Sequence, residues 1–495
     1  MTTFIIGIII LIVGGYLYGS YCEKVFGPDD RETPAITKAD GVDFVAMKKW
    51  KNSLINLLNI AGTGPVLGPI QGILFGPVAF ITIPLGCVLA GSMHDYFSGM
   101  ISIRNGGAQM PKLIKKYLGG KVFNVYNIII WVLMLLVGVV FVYTPGDLIV
   151  SELIRQQPVA TNSTTWIVYA GIFLYYVVAT IFPIDAIIGR VYPVFGAFLI
   201  ISAVGIFFGI MFGGGGQYLN NLSFSGMFSQ HPGGLPFIPV FFITVACGIL
   251  SGFHATQNTL IARTISNEKE GKTTFFNMML VEGFIAMCWA GGAMVLFNKG
   301  TDMATGATLM VGLISREFLG SIGAIFAIIG VIVLPITSGD TAFRGLRLMV
   351  AEQFNIDQGP AAKRVSLSVA FFIPAAIILY IAKTNPAGFS ILWRYFAFTN
   401  QFVATFALAT ISVYLYVNGK NYLVSLIPGT FYMFITLSFI FNAKIGFNLD
   451  TLLGLPAGSY TASYILAAVL SLGYIWFVRQ RATKGKEEII QDVLS

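Results

Sequence analysis

The chain has 495 residues, of which 56% are hydrophobic and only 11% charged, with a net charge of +8 and a mean hydropathy of +0.79. A soluble domain of this size would carry roughly a quarter of its residues as Asp, Glu, Lys and Arg, so a water-soluble fold is excluded and an all-α polytopic membrane protein is indicated. Cys22, Cys87, Cys247 and Cys288 lie in or beside apolar stretches without paired loop spacing, which points to neither a disulfide framework nor a metal ribbon.

Apolar segments of spanning length run at 3–21, 54–74, 77–101, 122–143, 166–183, 191–213, 237–262, 275–297, 319–340, 365–382, 391–417, 421–441 and 460–478. About thirteen transmembrane helices are expected. The first is read as a helix and not a cleaved signal peptide, since it lacks a basic leading region and a small-residue cleavage site. Basic residues test the segmentation, because cytoplasmic connections collect them. Of 30 Lys and Arg, 24 (Arg190 among them) fall in alternate connections facing one side. Five, Arg155, Lys299, Arg316, Lys383 and Lys444, face the other, and Arg394 lies within a span. The N-terminus is therefore expected outside and the C-terminus in the cytoplasm. Charge distributed in this way is a membrane-orientation pattern, so no nucleic-acid partner is expected. The outer loop 213–236, without Asp, Glu, Lys or Arg, reads as a lid or as a linker.

In the second span, Asn59-Ile60-Ala61-Gly62-Thr63-Gly64-Pro65-Val66-Leu67-Gly68-Pro69 puts three Gly and two Pro near the membrane midplane. Proline removes a donor and clashes with the preceding turn, and glycine eases unwinding, so this helix is expected to break. Pro65 suits the first turn of a second half-helix. The third span ends in His94-Asp95. In the seventh, an apolar run passes into Ser251-Gly252-Phe253-His254-Ala255-Thr256-Gln257-Asn258, a second expected break. The second and seventh spans run in opposite directions with five spans between their starts, as an inverted repeat of five plus five helices requires. The segmentation is then 1–52, an extra helix and loop; 53–236, the first repeat with its outer loop; 237–417, the second repeat; and 418–495, two further helices and a tail.

Half-helix N-termini suit an anionic substrate group. The backbone from Gly62 through Thr63 to Gly64 and from Gly252 to His254 is the expected carboxylate cradle. Gln71, Ser251, Gln257, Asn258, Asn400 and Gln401 are candidates to bond substrate or to link helices. Thr337 and Ser338, followed by Asp340, would make a Na⁺ site with unwound carbonyls near Ala61, or else bond back to their own helix while Asp340 meets Arg344. Glu282, well inside the eighth span, is a proton candidate or a structural partner of Arg394 or His254. No HExxH-type spacing supports a membrane metallohydrolase and no Walker loop supports ATP drive. No metal, no cofactor beyond Na⁺ as a coupling ion and no enzymatic activity is expected.

Gly62-Thr63-Gly64-Pro65 through Pro69, His94-Asp95-Tyr96-Phe97-Ser98-Gly99 with Arg104-Asn105-Gly106-Gly107, Ser251 through Gln257, and Leu334-Pro335-Ile336-Thr337-Ser338-Gly339-Asp340-Thr341-Ala342-Phe343-Arg344 together resemble the carbon starvation protein A (CstA) family. The resemblance implies a bacterial or archaeal inner-membrane transporter linked to uptake of peptides or pyruvate when carbon is scarce. It implies a LeuT-like fold of the amino acid, polyamine and organocation (APC) superfamily, with Thr337 and Ser338 where sodium-coupled members hold Na⁺ against the first broken helix. Pyruvate carriers of the family imply H⁺ coupling instead. The expected function is thus a secondary active importer of small carboxylates, with H⁺ or Na⁺ as the driving ion; an uncoupled channel or starvation sensor is the alternative.

Overall fold

The computed structural model describes residues 1–40, 44–181, 184–302, 306–358 and 360–494, with side chains except at 180–193 and 487–494. Among the described residues the elements are helices, plus one isolated bridge between Met47 and Ile265; the short turns Pro34–Thr37, Gly215–Tyr218 and Leu449–Leu452 are left unnumbered. In chain order they are α1 (Thr2–Phe26), α2 (Lys49–Ile60), α3 (Gly64–Phe75), α4 (79–104), α5 (Met110–Leu118), α6 (Gly120–Leu153), α7 (Ser163–Ile181) and α8 (Ile184–Phe212). There follow α9 (237–249), α10 (Gly252–Ile261), α11 (Glu268–Asn298), α12 (Ala307–Gln353), α13 (Ala361–Thr384), α14 (Gly388–Val417), α15 (Leu423–Asn442) and α16 (Thr461–Leu494).

Among the described residues nine helices are long and apolar enough to cross a membrane, or ten when the bent pair α2 and α3 is one span. The expected third, fifth and seventh spans lie outside that count. The apolarity of α4 is interrupted at His94-Asp95 and the seventh segment is cut into short halves, while α7 is described with side chains only over 163–179. The end of the fifth expected span, 182–183, lies outside the described residues, and Arg190 falls within the backbone of α8, not in a connection.

Both expected breaks are present. The axis turns by 50° between α2 and α3, and Pro65 stands in the first turn of α3. Leu250 and Ser251 are extended (φ −156° and −130°) between α9 and α10. Two helices overrun their expected limits. Tyr143-Thr144-Pro145-Gly146 does not stop α6, which therefore carries Asp147 inside the helix. α12 spans 47 residues with a kink at Gly320, whose φ of 64° is open to glycine. α12 lies along α6 and α8, α14 packs on α15, and α3 packs on α11.

The helices leave two distinct faces. The basic face carries 27–40 and 44–48, 105–119 and 262–267. There, Arg104 forks onto the buried carboxylate of Glu268 (Nε to Oε1 3.0 Å, Nη2 to Oε2 2.9 Å) and donates to the Gly27 carbonyl at 2.7 Å, clamping the end of α1. Beside it, a hydrogen bond from Arg31 holds the Asp29 carboxyl well below the usual carboxylate range. On the far face the loop 213–236 lies against the end of α3, with His231 on the Phe75 ring at 4.7 Å. The Met1 amine donates to the Leu219 carbonyl and to Asn221 Oδ1, each at 3.0 Å.

Gly252 is where α10 meets α14 most tightly: a Cβ there would stand 2.5 Å from the Asn400 carbonyl oxygen and 2.6 Å from the Ala404 nitrogen. Both obstacles are backbone, so Gly252→Ala must move a helix. It is expected to cost about 1–3 kcal/mol, read as a lower thermal unfolding midpoint in detergent, whereas Gly171→Ala, which meets nothing within 4 Å, should leave the midpoint unchanged or raised.

Candidate functional site

The two breaks meet in the interior. Gly64, at the start of α3, lies directly against the Cys247 side chain of α9. Unpaired backbone at such depth requires partners from elsewhere in the protein, and at the second break α14 supplies them. Asn400 Oδ1 accepts from the Phe253 amide (2.9 Å) and the Ser251 hydroxyl (3.1 Å), and its Nδ2 donates to Cys247 Sγ at 3.3 Å. The His254 amide bonds the Ser251 carbonyl at 3.2 Å. Two of the three amides from Gly252 to His254 are therefore engaged within the protein. At the first break, the Thr63 hydroxyl is buried without a hydrogen-bond partner. Gln401 donates to the Phe242 carbonyl of α9 at 2.8 Å and so links helices.

Beneath the second break four ionisable side chains stand in a row. His94 Nδ1 is 2.8 Å from Asp95 Oδ1, Asp95 Oδ2 is 3.0 Å from His254 Nδ1, and His254 Nε2 is 3.5 Å from Glu282 Oε2. All four are at most 1% exposed. They come from three helices: α4 supplies the first two, α10 the third in its first turn, and α11 the fourth. A π-helical stretch, Cys87–Ser92, ends two residues before His94 and resets the face that α4 presents. Gly91 within it touches the Ile249 carbonyl, an approach that any side chain would prevent. Asn258, one turn beyond His254, donates to Ser98 Oγ at 3.3 Å. Among the described residues no three His, Cys, Asp or Glu converge as metal ligands.

The other sequence candidates are spread out. Thr337 bonds back to the Leu334 carbonyl at 2.9 Å, whereas the Ser338 hydroxyl is buried with no hydrogen-bond partner. The Phe141 side chain of α6 lies beside Gly62 at its ring tip and beside Gly339 at its Cβ, which places the first break and this part of α12 at the two ends of one side chain. Ala61 is buried at the break itself. Asp340 faces Arg344 at 3.6 Å, one turn on. Gln71 donates to its own helix at the Leu67 carbonyl. Arg394, expected at depth and as a partner for Glu282, is instead exposed on α14; it lies on the outward stripe of a helix whose other faces are buried, and His254 takes the place beside Glu282.

A cavity of about 650 Å³ opens at the basic face, lined among others by Gln257, Thr256, Met134, Thr341 and Arg344. Gln257 is buried and lies one turn from His254 along α10, so the cavity reaches toward the break. Toward the far face the same region is packed. Tyr143 and Phe389 rings lie 4.9 Å apart, Phe389 lies 6.1 Å from Trp393, and Trp393 donates to the Thr244 carbonyl at 3.3 Å.

Next to this aromatic row is an ion pair that sequence reasoning missed. Lys383, expected in a connection, is buried in the last turn of α13 and bonds both oxygens of Asp147 at 2.8 Å. Tyr169 donates to Asp147 at 2.5 Å, and the Tyr143 ring lies 4.6 Å from the ammonium group. The only advance signal was an acid followed, far along the chain, by a lysine at the edge of an apolar run.

Comparison with known proteins adds an independent line. The profile described as "Carbon starvation protein CstA" matches residues 1–225, 146–300 and 290–439. A membrane protein of Haemophilus influenzae described as uncharacterized is 41% identical over 332 residues, 58% of this chain and 89% of its own. The peptide transporter CstA of Campylobacter jejuni is 26% identical, covering 86% of this chain and 78% of its own. The pyruvate/proton symporter BtsT of Escherichia coli is 26% identical, covering 56% and 46%. Among solved structures, a mutant manganese transporter of Eremococcus coleocola superposes with a TM-score of 0.55 at 12% identity, covering 90% of this chain and 94% of that one. MhsT with L-phenylalanine gives 0.52 at 12% identity, covering 87% and 98%. These two share the fold, and the named relatives and the manganese transporter are transporters, not enzymes.

The Asp147–Lys383 pair gives a stability test. Lys383→Met leaves a buried carboxylate without its cation and is expected to cost about 3–5 kcal/mol. Asp147→Leu combined with Lys383→Met should recover most of that loss, because replacing both charges by apolar groups removes the desolvation penalty. Thermal unfolding of the two single variants and the double variant in detergent reads the coupling; strictly additive losses would show that the pair does not act as a unit.

Proposed function

The chain belongs to the carbon starvation protein CstA family, and from that footing we propose that it is a secondary active importer of small carboxylate-bearing nutrients, short peptides or pyruvate, working by alternating access and coupled to H⁺ or Na⁺. The observation that carries this reading is the meeting of two broken helices above a cavity that opens at one face while aromatic rings pack the other. A channel has no need of that asymmetry; a carrier caught on one side of its cycle does. In this reading thirteen segments span the membrane, five plus five of them as inverted repeats, and the basic face is cytoplasmic, with the N-terminus outside.

The substrate carboxylate rests on the backbone at Thr63 and Gly64, beside Gly62, whose own amide bonds the Ile60 carbonyl at 2.9 Å, and the buried Thr63 hydroxyl there has no hydrogen-bond partner within the protein. Ser251, Gly252 and His254 bound the site from the second break, and Gln257 stands on its route to the basic face. If Na⁺ drives the carrier, its oxygens come from Ala61, Thr337 and Ser338, and the Ser338 hydroxyl lacks a hydrogen-bond partner.

The test is uptake into proteoliposomes of labelled pyruvate and labelled dipeptide, each under a pH gradient alone or a Na⁺ gradient alone. Accumulation of one of them above its external concentration is the expected result; accumulation of neither under any gradient rejects the importer. Under Na⁺ drive, Ser338→Ala should reduce sodium-dependent uptake at least tenfold, and unchanged sodium dependence removes that residue from the ion site.

A further inference from the structure

Resting on the reading of the chain as a coupled transporter, we infer that His94, Asp95, His254 and Glu282 form a single proton-holding site and that the coupling ion is a proton bound there. The four groups are joined end to end by contacts of 2.8, 3.0 and 3.5 Å, and none has more than 1% of its surface exposed.

Both ends of the row are unsatisfied. His94 Nε2 and both carboxylate oxygens of Glu282 are buried without a hydrogen-bond partner. A bare carboxylate that accepts no hydrogen bond is among the most costly groups to bury, and a proton is the smallest ligand that removes its charge. Charge arithmetic points the same way. Two carboxylates flank His254; with one imidazolium between them the row keeps one negative charge, and one more proton makes it neutral. The groups facing Glu282 are His254 from α10, Asp95 from α4, and the thiols of Cys87 and Cys247 from α4 and α9. None of these is a Lys or Arg that could neutralise the row permanently. Na⁺ is a poorer occupant, because a hard cation asks for several oxygens, whereas here imidazole nitrogens separate the two carboxylates.

The position of the row explains how such a proton would be felt by the substrate. His254 is in the first turn after the second break, and the carbonyl of Ile60, the last residue before the first break, also faces its ring. The charge on one imidazole thus bears on both interruptions at once. One turn further along α10, Gln257 lines the cavity at the basic face, so the enclosed row lies one helical turn from the residue that borders that opening.

The experiment separates exchange from net transport in proteoliposomes. Counterflow, the exchange of labelled for unlabelled substrate across the membrane, needs no net proton movement, whereas accumulation driven by a pH gradient does. Wild-type protein should do both with labelled pyruvate or labelled dipeptide. Glu282→Gln should retain counterflow within about twofold and lose pH-driven accumulation at least tenfold, and Glu282→Asp should restore part of it. A Glu282→Gln protein that still accumulates substrate under a pH gradient as wild type does overturns the proposal. So does a folded, monodisperse Glu282→Gln protein that has lost counterflow. Should Glu282→Gln fail to fold, His94→Gln is read by the same two criteria. Wild-type accumulation that follows Na⁺ alone and ignores the pH gradient overturns the proton site while leaving the importer intact. Absence of both counterflow and accumulation in wild type rejects the importer itself.

Discussion

Hydrocarbon offers no water to an unpaired amide or carbonyl, and each such group left bare costs several kcal/mol. An unwound backbone segment inside an apolar molecule therefore commits the helices around it. At the second break the commitment is visible atom by atom: Asn400 of α14 occupies the Phe253 amide, binds Ser251 and reaches Cys247. Because that side chain must come so near, α14 presses on Gly252 until no other residue fits. On the opposite side α4 closes to touch the Ile249 carbonyl at Gly91, and the same approach brings His94 and Asp95 under the break. The polar centre of the molecule is thus a consequence of where two helices stop.

The breaks were legible because glycine and proline act locally; their effect needs no knowledge of what lies nearby. Charge partners were harder, since they depend on which stripe of a helix turns inward. Arg394 lies in an apolar window and reads as a candidate partner of Glu282, yet it occupies the exposed side of α14. Lys383 reads as a loop residue, yet α13 continues long enough to carry it inside, where it meets Asp147 across 236 positions. Asp95, His254 and Glu282 were each conspicuous as polar groups in apolar surroundings; that they touch one another follows from the packing of α4, α10 and α11, which no single segment records. Glu268, which no sequence feature singles out, is fully buried beneath Arg104.

Two kinds of rigidity meet at the site. On the basic face the Arg104–Glu268 fork ties the end of α1, α4 and the start of α11 into one group, and the row of ionisable residues lies wholly on α4, α10 and α11. Toward the far face, Asp147, Lys383, Tyr169 and their aromatic neighbours join α6, α7 and α13. The two groups share the region around the first break, where Phe141 of α6 stands between Gly62 and Gly339. The same fold occurs in a manganese transporter and in MhsT, which holds L-phenylalanine, so the fold by itself does not name a ligand; that is left to the side chains at the breaks.

The complete enclosure of the row from His94 to Glu282 also sets a clock. In the proposed proton site, groups so enclosed would exchange charge with water only through openings of the helices around them. A sudden change of external acidity would then be followed by a lag as long as the interval between openings, and that interval would be slower in heavy water only if proton movement, not helix movement, limits it. The interior would in this sense carry a short record of the acidity on the side it last faced.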